Sequence, residues 1–93
     1  MKAEIYSKDT CPYCDRAKEL LTKLNIPYDE YTISAGMGES VARSNQYFVT
    51  RAQLLERLPT AKTVPQIWID GTHIGGFDDL NHQVQIGRIT AQK

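Results

Sequence analysis

The chain has 93 residues, and its eleven lysines and arginines balance eleven aspartates and glutamates, so the formal charge is zero. That length suits one small domain with its own core rather than two, and neutrality removes the long-range attraction that draws proteins to nucleic acid. The opening Met1-Lys2-Ala3-Glu4-Ile5-Tyr6 is not an apolar secretory stretch, and no run approaches the roughly 20 residues that cross a bilayer. These features predict a soluble, intracellular and cytoplasmic protein, a single domain over 1–93, with no nucleic-acid or membrane partner.

Ala3 to Ser7 reads as a short strand centred on Ile5 and Tyr6, followed by the loop Lys8-Asp9-Thr10. Next comes Cys11-Pro12-Tyr13-Cys14, which holds both cysteines of the chain. Ala17, Leu20, Leu21 and Leu24 then fall at i, i+3, i+4 and i+7, the apolar stripe of a helix laid on a core. Asn25 and Pro27 end it. Tyr28 to Ile33 alternates, and its aromatic and β-branched content predicts a second strand.

Gly36 and Gly38 mark a loop within Ser34 to Val49, where Glu39 to Tyr47 reads as either a short helix or irregular chain. Thr50-Arg51-Ala52-Gln53 has capping-box spacing, and Leu54, Leu55 and Leu58 give the following turns an apolar side until Pro59 stops them. Gln66 to Asp70 reads as an apolar strand, joined by the two-residue turn Asp70-Gly71 to a strand from Thr72 to Gly75. A last helix begins near Asp78, with Leu80, Val84 and Ile86 on its inner side. The expected order is strand, helix, strand, helix, strand, strand, helix.

The chemistry concentrates in the cysteine pair. Disulfide exchange needs a thiolate that attacks a disulfide sulfur and a second thiol near enough to resolve the mixed disulfide. Cys11 is the expected attacker. Pro12 fits the first helical position, where a missing N–H is harmless, so Cys11 faces the free N–H groups and the positive end of the helix dipole, both of which favour thiolate. Lys8 adds a positive charge nearby. Cys14, inside the first turn, is the expected resolver. Zinc fits poorly, because His73 and His82 lie nine positions apart rather than at finger spacing. A structural disulfide fits poorly too, since so small a loop gains little from closure.

Three motifs in order, Lys8-Asp9-Thr10-Cys11-Pro12-Tyr13-Cys14, Thr63-Val64-Pro65-Gln66 and Gly75-Gly76-Phe77-Asp78-Asp79-Leu80, make the chain resemble a glutaredoxin of the dithiol kind, nearest to small bacterial and phage-type members. The resemblance implies an α/β thioredoxin fold, a central four-stranded mixed β-sheet flanked by three helices. It also implies reduction of protein disulfides and glutathione mixed disulfides, with glutathione as reducing co-substrate, no permanently bound cofactor and no metal. By the same resemblance Pro65 follows a cis bond, and Thr63, Val64 and Pro65 form a turn against Cys11 whose Val64 N–H and C=O receive the extended cysteinyl residue of glutathione.

On the same basis Gly76 permits close approach, and the N–H groups of Phe77 and Asp78 take the γ-glutamyl carboxylate while the Asp78 side chain faces the ammonium. Asp78 also reads as an ordinary N-cap, with Asp79 a favourable first-turn acid. Lys8 is placed by the resemblance near the glycyl carboxylate and Tyr13 beside the sulfur, with Arg51 and Gln53 as further candidates from the second helix. Implied partners are glutathione and disulfide-containing or glutathionylated proteins, ribonucleotide reductase among them, and the simplest oligomeric state is a monomer.

Two alternative activities use the same cysteines. A donor reduced by thioredoxin reductase needs neither Lys8 nor the Gly75 to Asp78 anion site, and an iron–sulfur carrier sharing a cluster between two chains is disfavoured by Pro12. A redox-inert binding module has no need of both cysteines. His73 reads as a hairpin residue, His82 as a solvent-facing helix residue, Trp68 as core or half-core, and Lys18 and Lys23 as a wet helix face.

Overall fold

The protein is described here by a computed structural model covering residues 1–8, 11–33 and 45–92. Among these the elements are β1 (Ala3–Lys8), α1 (Pro12–Lys23), β2 (Tyr28–Ile33), β3 (Gln46–Val49), α2 (Arg51–Arg57), β4 (Gln66–Ile69), β5 (Thr72–Gly75) and α3 (Phe77–Gln85). The Gly36 and Gly38 loop lies outside the described residues. The sheet runs β3-β2-β1-β4-β5. β1 pairs parallel with β2, β2 parallel with β3, and β4 antiparallel with both β1 and β5.

The sheet therefore has five strands where four were expected. Gln46 to Val49 pairs Glu30 with Gln46 through Ile33 with Val49, so the end of the segment read as short helix or irregular chain is an edge strand. Tyr47, Phe48 and Val49 suit a pleated surface, and four residues are too few to display an alternation in the sequence.

Alternation along β1 divides the interior into two cores. Ala3 and Ile5 face α1 and α3, where they join Ala17, Leu21, Ile26, Ile67, Ile69, Leu80 and Ile89. Tyr6 faces the other way, with Leu54, Ala61 and Trp68. On that second face five rings form a file across the sheet, one from each strand. Tyr47 stacks on Tyr31 at 5.3 Å and Tyr31 on Tyr6 at 4.9 Å, Tyr6 meets Trp68 edge-on at 5.3 Å, and Trp68 meets His73 at 4.8 Å.

Both long helices end on Schellman turns. After α1, Asn25 takes φ 57°, its N–H returning to the Thr22 carbonyl at 3.0 Å and that of Ile26 to Leu21 at 2.9 Å. After α3, Gly87 takes φ 79°, and the N–H of Arg88 reaches the Gln83 carbonyl at 3.0 Å. This second turn corrects the expectation for Ile86, which caps the helix with half of its surface exposed, while Ile89 enters the core in its place.

A polar cluster is built into the first core. Glu30 is 3% exposed, and its Oε2 accepts from Ser7 Oγ at 2.7 Å, Thr32 Oγ1 at 3.2 Å and Lys18 Nζ at 3.0 Å. Lys18 is thus not part of a wet helix face: its side chain keeps 19% exposure and spans from α1 to β2. Lys23, in contrast, is exposed.

On the opposite face Arg57 ties α2 to the sheet. Its guanidinium makes paired hydrogen bonds of 2.8 and 3.0 Å to Glu4 and lies 4.1 Å above the Trp68 ring. Those hydrogen bonds hold the Glu4 carboxyl below its ordinary value of 4.5. A depressed carboxyl stabilises the fold above its unfolded value, and that contribution is lost as pH falls through the folded one. Glu4→Gln should therefore cost about 1 kcal/mol at neutral pH, with the gap to the parent protein closing below pH 4.5. Urea midpoints across that range check it, and a gap independent of pH would contradict the ion pair.

Candidate functional site

Cys11 is the N-cap of α1, in extended conformation with φ −120° and ψ 100°, and Pro12 takes the first helical position. The Cys14 N–H donates to the Cys11 sulfur at 3.3 Å. The two cysteines are joined as a disulfide, with Cα atoms 5.2 Å apart. Cys11 keeps 6% of its surface and Cys14 only 1%, so an incoming sulfur meets Cys11 first. On reduction, the N–H aimed at Cys11 and the positive end of α1 would both favour a thiolate there.

The Val64–Pro65 bond is cis. The Val64 carbonyl oxygen stands 4.0 Å from the Cys11 sulfur, so the turn that opens β4 lies directly against the first thiol. Pro65 is buried, Val64 half-buried and Thr63 exposed. Gln66 reaches back to hold the turn, its Nε2 donating to the Thr63 carbonyl at 2.9 Å.

α3 begins beside this turn. Gly76 is its N-cap, and the Gly76 N–H donates to Asp79 Oδ2 at 3.1 Å. The N-cap reading of Asp78 is therefore corrected: Asp79 closes the cap, and Asp78 is exposed within the first turn and free of that duty. Gly75 adopts φ 123°, and a methyl group there would overlap the Asp79 carboxylate. A Cβ on Gly76 would stand 3.4 Å from the Pro65 carbonyl oxygen, which measures how closely α3 approaches the turn.

A cleft of about 490 Å³ runs between these parts, lined by Tyr13, Val64, Pro65, Gly76, Phe77 and Asp78, with Thr63, Gln66, His73, Gly75 and Asp79 completing it. Tyr13 is 54% exposed, its ring 6.4 Å from that of Phe77 and 5.5 Å from the Arg16 guanidinium carbon. The structure thus gathers seven of the ten residues singled out for chemistry or binding around one opening, and the disulfide of two more, Cys11 and Cys14, adjoins it through Val64 and Tyr13. Lys8 is exposed at the end of β1 and does not line this cleft. Arg51 and Gln53 do not line it either, and Gln53 is committed to the α2 cap, where it accepts from the Thr50 N–H at 2.7 Å.

His73 was missed as a cleft residue. The signal lay in the Asp70-Gly71 turn, whose two residues both have positive φ, 51° and 83°. That hairpin sets His73 opposite Trp68 and hence on the face shared with Gln66.

Comparison with known proteins decides the family, because the glutaredoxin family model matches residues 3–74. The chain belongs to the glutaredoxin family. Glutaredoxin 3 of Escherichia coli K12 is 42% identical over 77 residues, covering 83% of this chain and 78% of that protein. A glutaredoxin of Pseudomonas aeruginosa is 37% identical over 94% of this chain and 89% of its own. Among solved structures, Francisella tularensis glutaredoxin 1 complexed with cacodylate superposes with TM-score 0.69 at 30% identity, over 91% of this chain and 93% of that one. A buckwheat glutaredoxin–glutathione complex superposes with TM-score 0.61 at 26% identity, over 94% and 71%. This glutaredoxin accordingly has the thioredoxin fold and is a thiol–disulfide oxidoreductase of the dithiol type. No helix among its described residues is long and apolar enough to cross a membrane.

Proposed function

We propose that this glutaredoxin, working as one cytoplasmic domain and as a monomer, reduces glutathione mixed disulfides and protein disulfides at the expense of glutathione. The observation that carries the reading is the juxtaposition of the Val64 turn, the N-terminus of α3 and the Cys11 sulfur around one cleft. A short extended peptide with a central thiol and an amino-acid head fits that arrangement: Val64 offers backbone pairing, and the first N–H groups of α3 offer a carboxylate seat. The buckwheat relative's complex with glutathione supports the same ligand.

In this reading the Cys11 thiolate attacks the glutathionyl sulfur of a mixed disulfide. The Cys11–glutathione bond forms, and the substrate thiolate leaves and takes a proton from solvent. A second glutathione thiolate then attacks the bound glutathionyl sulfur, releasing oxidised glutathione and restoring the Cys11 thiolate. With a protein disulfide, Cys14 attacks the Cys11 mixed disulfide, and two glutathione molecules afterwards reduce the resulting Cys11–Cys14 bond. Phe77 and Asp78 N–H groups receive the γ-glutamyl carboxylate, the Asp78 side chain faces its ammonium, Tyr13 walls the sulfur, and Lys8 attracts the glycyl carboxylate from outside the cleft. Ribonucleotide reductase belongs to the proposed protein substrates, and no cofactor is held permanently.

The deciding experiment is an assay coupled to glutathione reductase, run beside one coupled to thioredoxin reductase. Turnover with glutathione supports the proposal, and turnover only with thioredoxin reductase overturns it. Within the first assay, Asp78→Ala should lower kcat/KM for a glutathione mixed disulfide about five-fold, the scale of one exposed charge pair. The penalty should vanish for a mixed disulfide of a small thiol without the γ-glutamyl group. Equal slowing of both substrates would mean that Asp78 supports α3 rather than the ligand.

A further inference from the structure

We infer that His73 is a positioning residue for the substrate, acting through Gln66 on the Thr63-Val64-Pro65 turn; this rests on the glutathione reading above. Three contacts form a chain from the second hairpin strand to the docking edge. His73 Nε2 lies 2.9 Å from Gln66 Oε1, Gln66 Nε2 donates to the Thr63 carbonyl at 2.9 Å, and the Val64 carbonyl then stands 4.0 Å from the Cys11 sulfur.

The direction of the first bond follows from the second. Because the Gln66 NH₂ group is spent on a carbonyl, which only accepts, its oxygen is the atom turned to His73, and the imidazole must donate. Nε2 therefore carries a proton. Both the imidazolium and the Nε2–H neutral tautomer satisfy this, so the brace is indifferent to the protonation of the ring. Gln66 is itself buried at 9% exposure, where a side-chain amide without its partners is costly. The ring of His73 is fixed from the other side by Trp68, 4.8 Å away.

This arrangement restrains the turn at its entry. Thr63 is exposed and Val64 half-buried, and the sheet ladder begins only at Gln66. Without the amide bridge the Thr63 carbonyl is held by none of the hydrogen bonds among the described residues. The peptide groups on either side of Val64 would then be free to rotate away from the orientation that pairs with an extended ligand. Binding would weaken, while the Cys11 thiolate, set by the N-terminus of α1, would be untouched.

Two variants separate hydrogen bonding from stacking. His73→Phe keeps a ring on Trp68 and removes the donor; His73→Gln keeps an N–H donor at similar reach and removes the ring. For a glutathione mixed disulfide, His73→Phe should raise KM about five-fold, the scale of one hydrogen bond, with kcat within about two-fold and the thiolate titration of Cys11 unchanged. His73→Gln should return KM to within about two-fold of the parent value. An unchanged KM in His73→Phe overturns the inference, as does an equal rise in both variants, which would assign the effect to the Trp68 contact. The parent protein is the control for the underlying reading: if it shows no turnover with glutathione, that reading fails and the inference that rests on it falls too, whereas a parent that turns over leaves the two variants to decide the inference alone.

Discussion

Cys11→Ser should reduce turnover to the uncatalysed background with every disulfide substrate, whereas Cys14→Ser should continue to reduce glutathione mixed disulfides while losing most of its activity on protein disulfides. The asymmetry follows from the site. Cys11 holds the accessible position, accepts the Cys14 N–H at 3.3 Å and lies against Val64, so the first bond to substrate forms there. A serine hydroxyl has no accessible anion to replace the thiolate. Cys14 is 1% exposed and can act only on a sulfur already bound to Cys11. When that bound group is glutathionyl, free glutathione performs the same release, and the second thiol is dispensable. When it is a protein chain, intramolecular attack by Cys14 competes far better than a bimolecular one. Steady-state rates of the two variants on both substrate classes check the assignment. Equal loss in both variants on both substrates would show that the thiols act as an inseparable unit.

Lys18→Met should lower the unfolding free energy by about 3 kcal/mol, the cost of removing one partner from a buried ion pair. Lys18 Nζ stands 3.0 Å from a Glu30 oxygen and 3.5 Å from the exposed carboxylate of Asp15. Glu30 would keep the Ser7 and Thr32 hydroxyls, but not this cation, in a place where it is 3% exposed. Combining Lys18→Met with Glu30→Gln should recover about half of the loss or more, because a neutral amide still accepts from both hydroxyls and costs less to bury than a carboxylate. Urea unfolding at neutral pH measures all three proteins. A Lys18→Met midpoint equal to that of the parent would remove the pair from the forces seating α1 on the sheet.

Much of the architecture was legible because it rests on local chemistry. The Thr50 capping box, the Asp70-Gly71 hairpin, the Tyr28 to Ile33 strand and the helix entry at Pro12 each depend on residues within a few positions of one another. The features that escaped depend on distant partners. Gln46 to Val49 becomes a strand through pairing with β2, and Lys18 becomes interior only because Glu30, twelve positions on, meets it across the sheet face. In the site, the thiols and the turn were legible as motifs. The division of labour between Asp78 and Asp79 was not, because it turns on whether the N-cap falls on Gly76 or two residues later. Lys8 was placed only by resemblance, and it is exposed at the end of β1 and does not line the cleft.

Trp68 is the only tryptophan of the chain, and it sits 5% exposed between the Arg57 guanidinium at 4.1 Å and the His73 ring at 4.8 Å. Its indole fluorescence is therefore a built-in optical probe with two distinct neighbours, one reporting how α2 rests on the sheet and the other how the second hairpin strand stands beside the cleft. Excitation at the indole band reads both without any label, so ligand capture that shifts either neighbour writes itself into the emission of the unmodified protein.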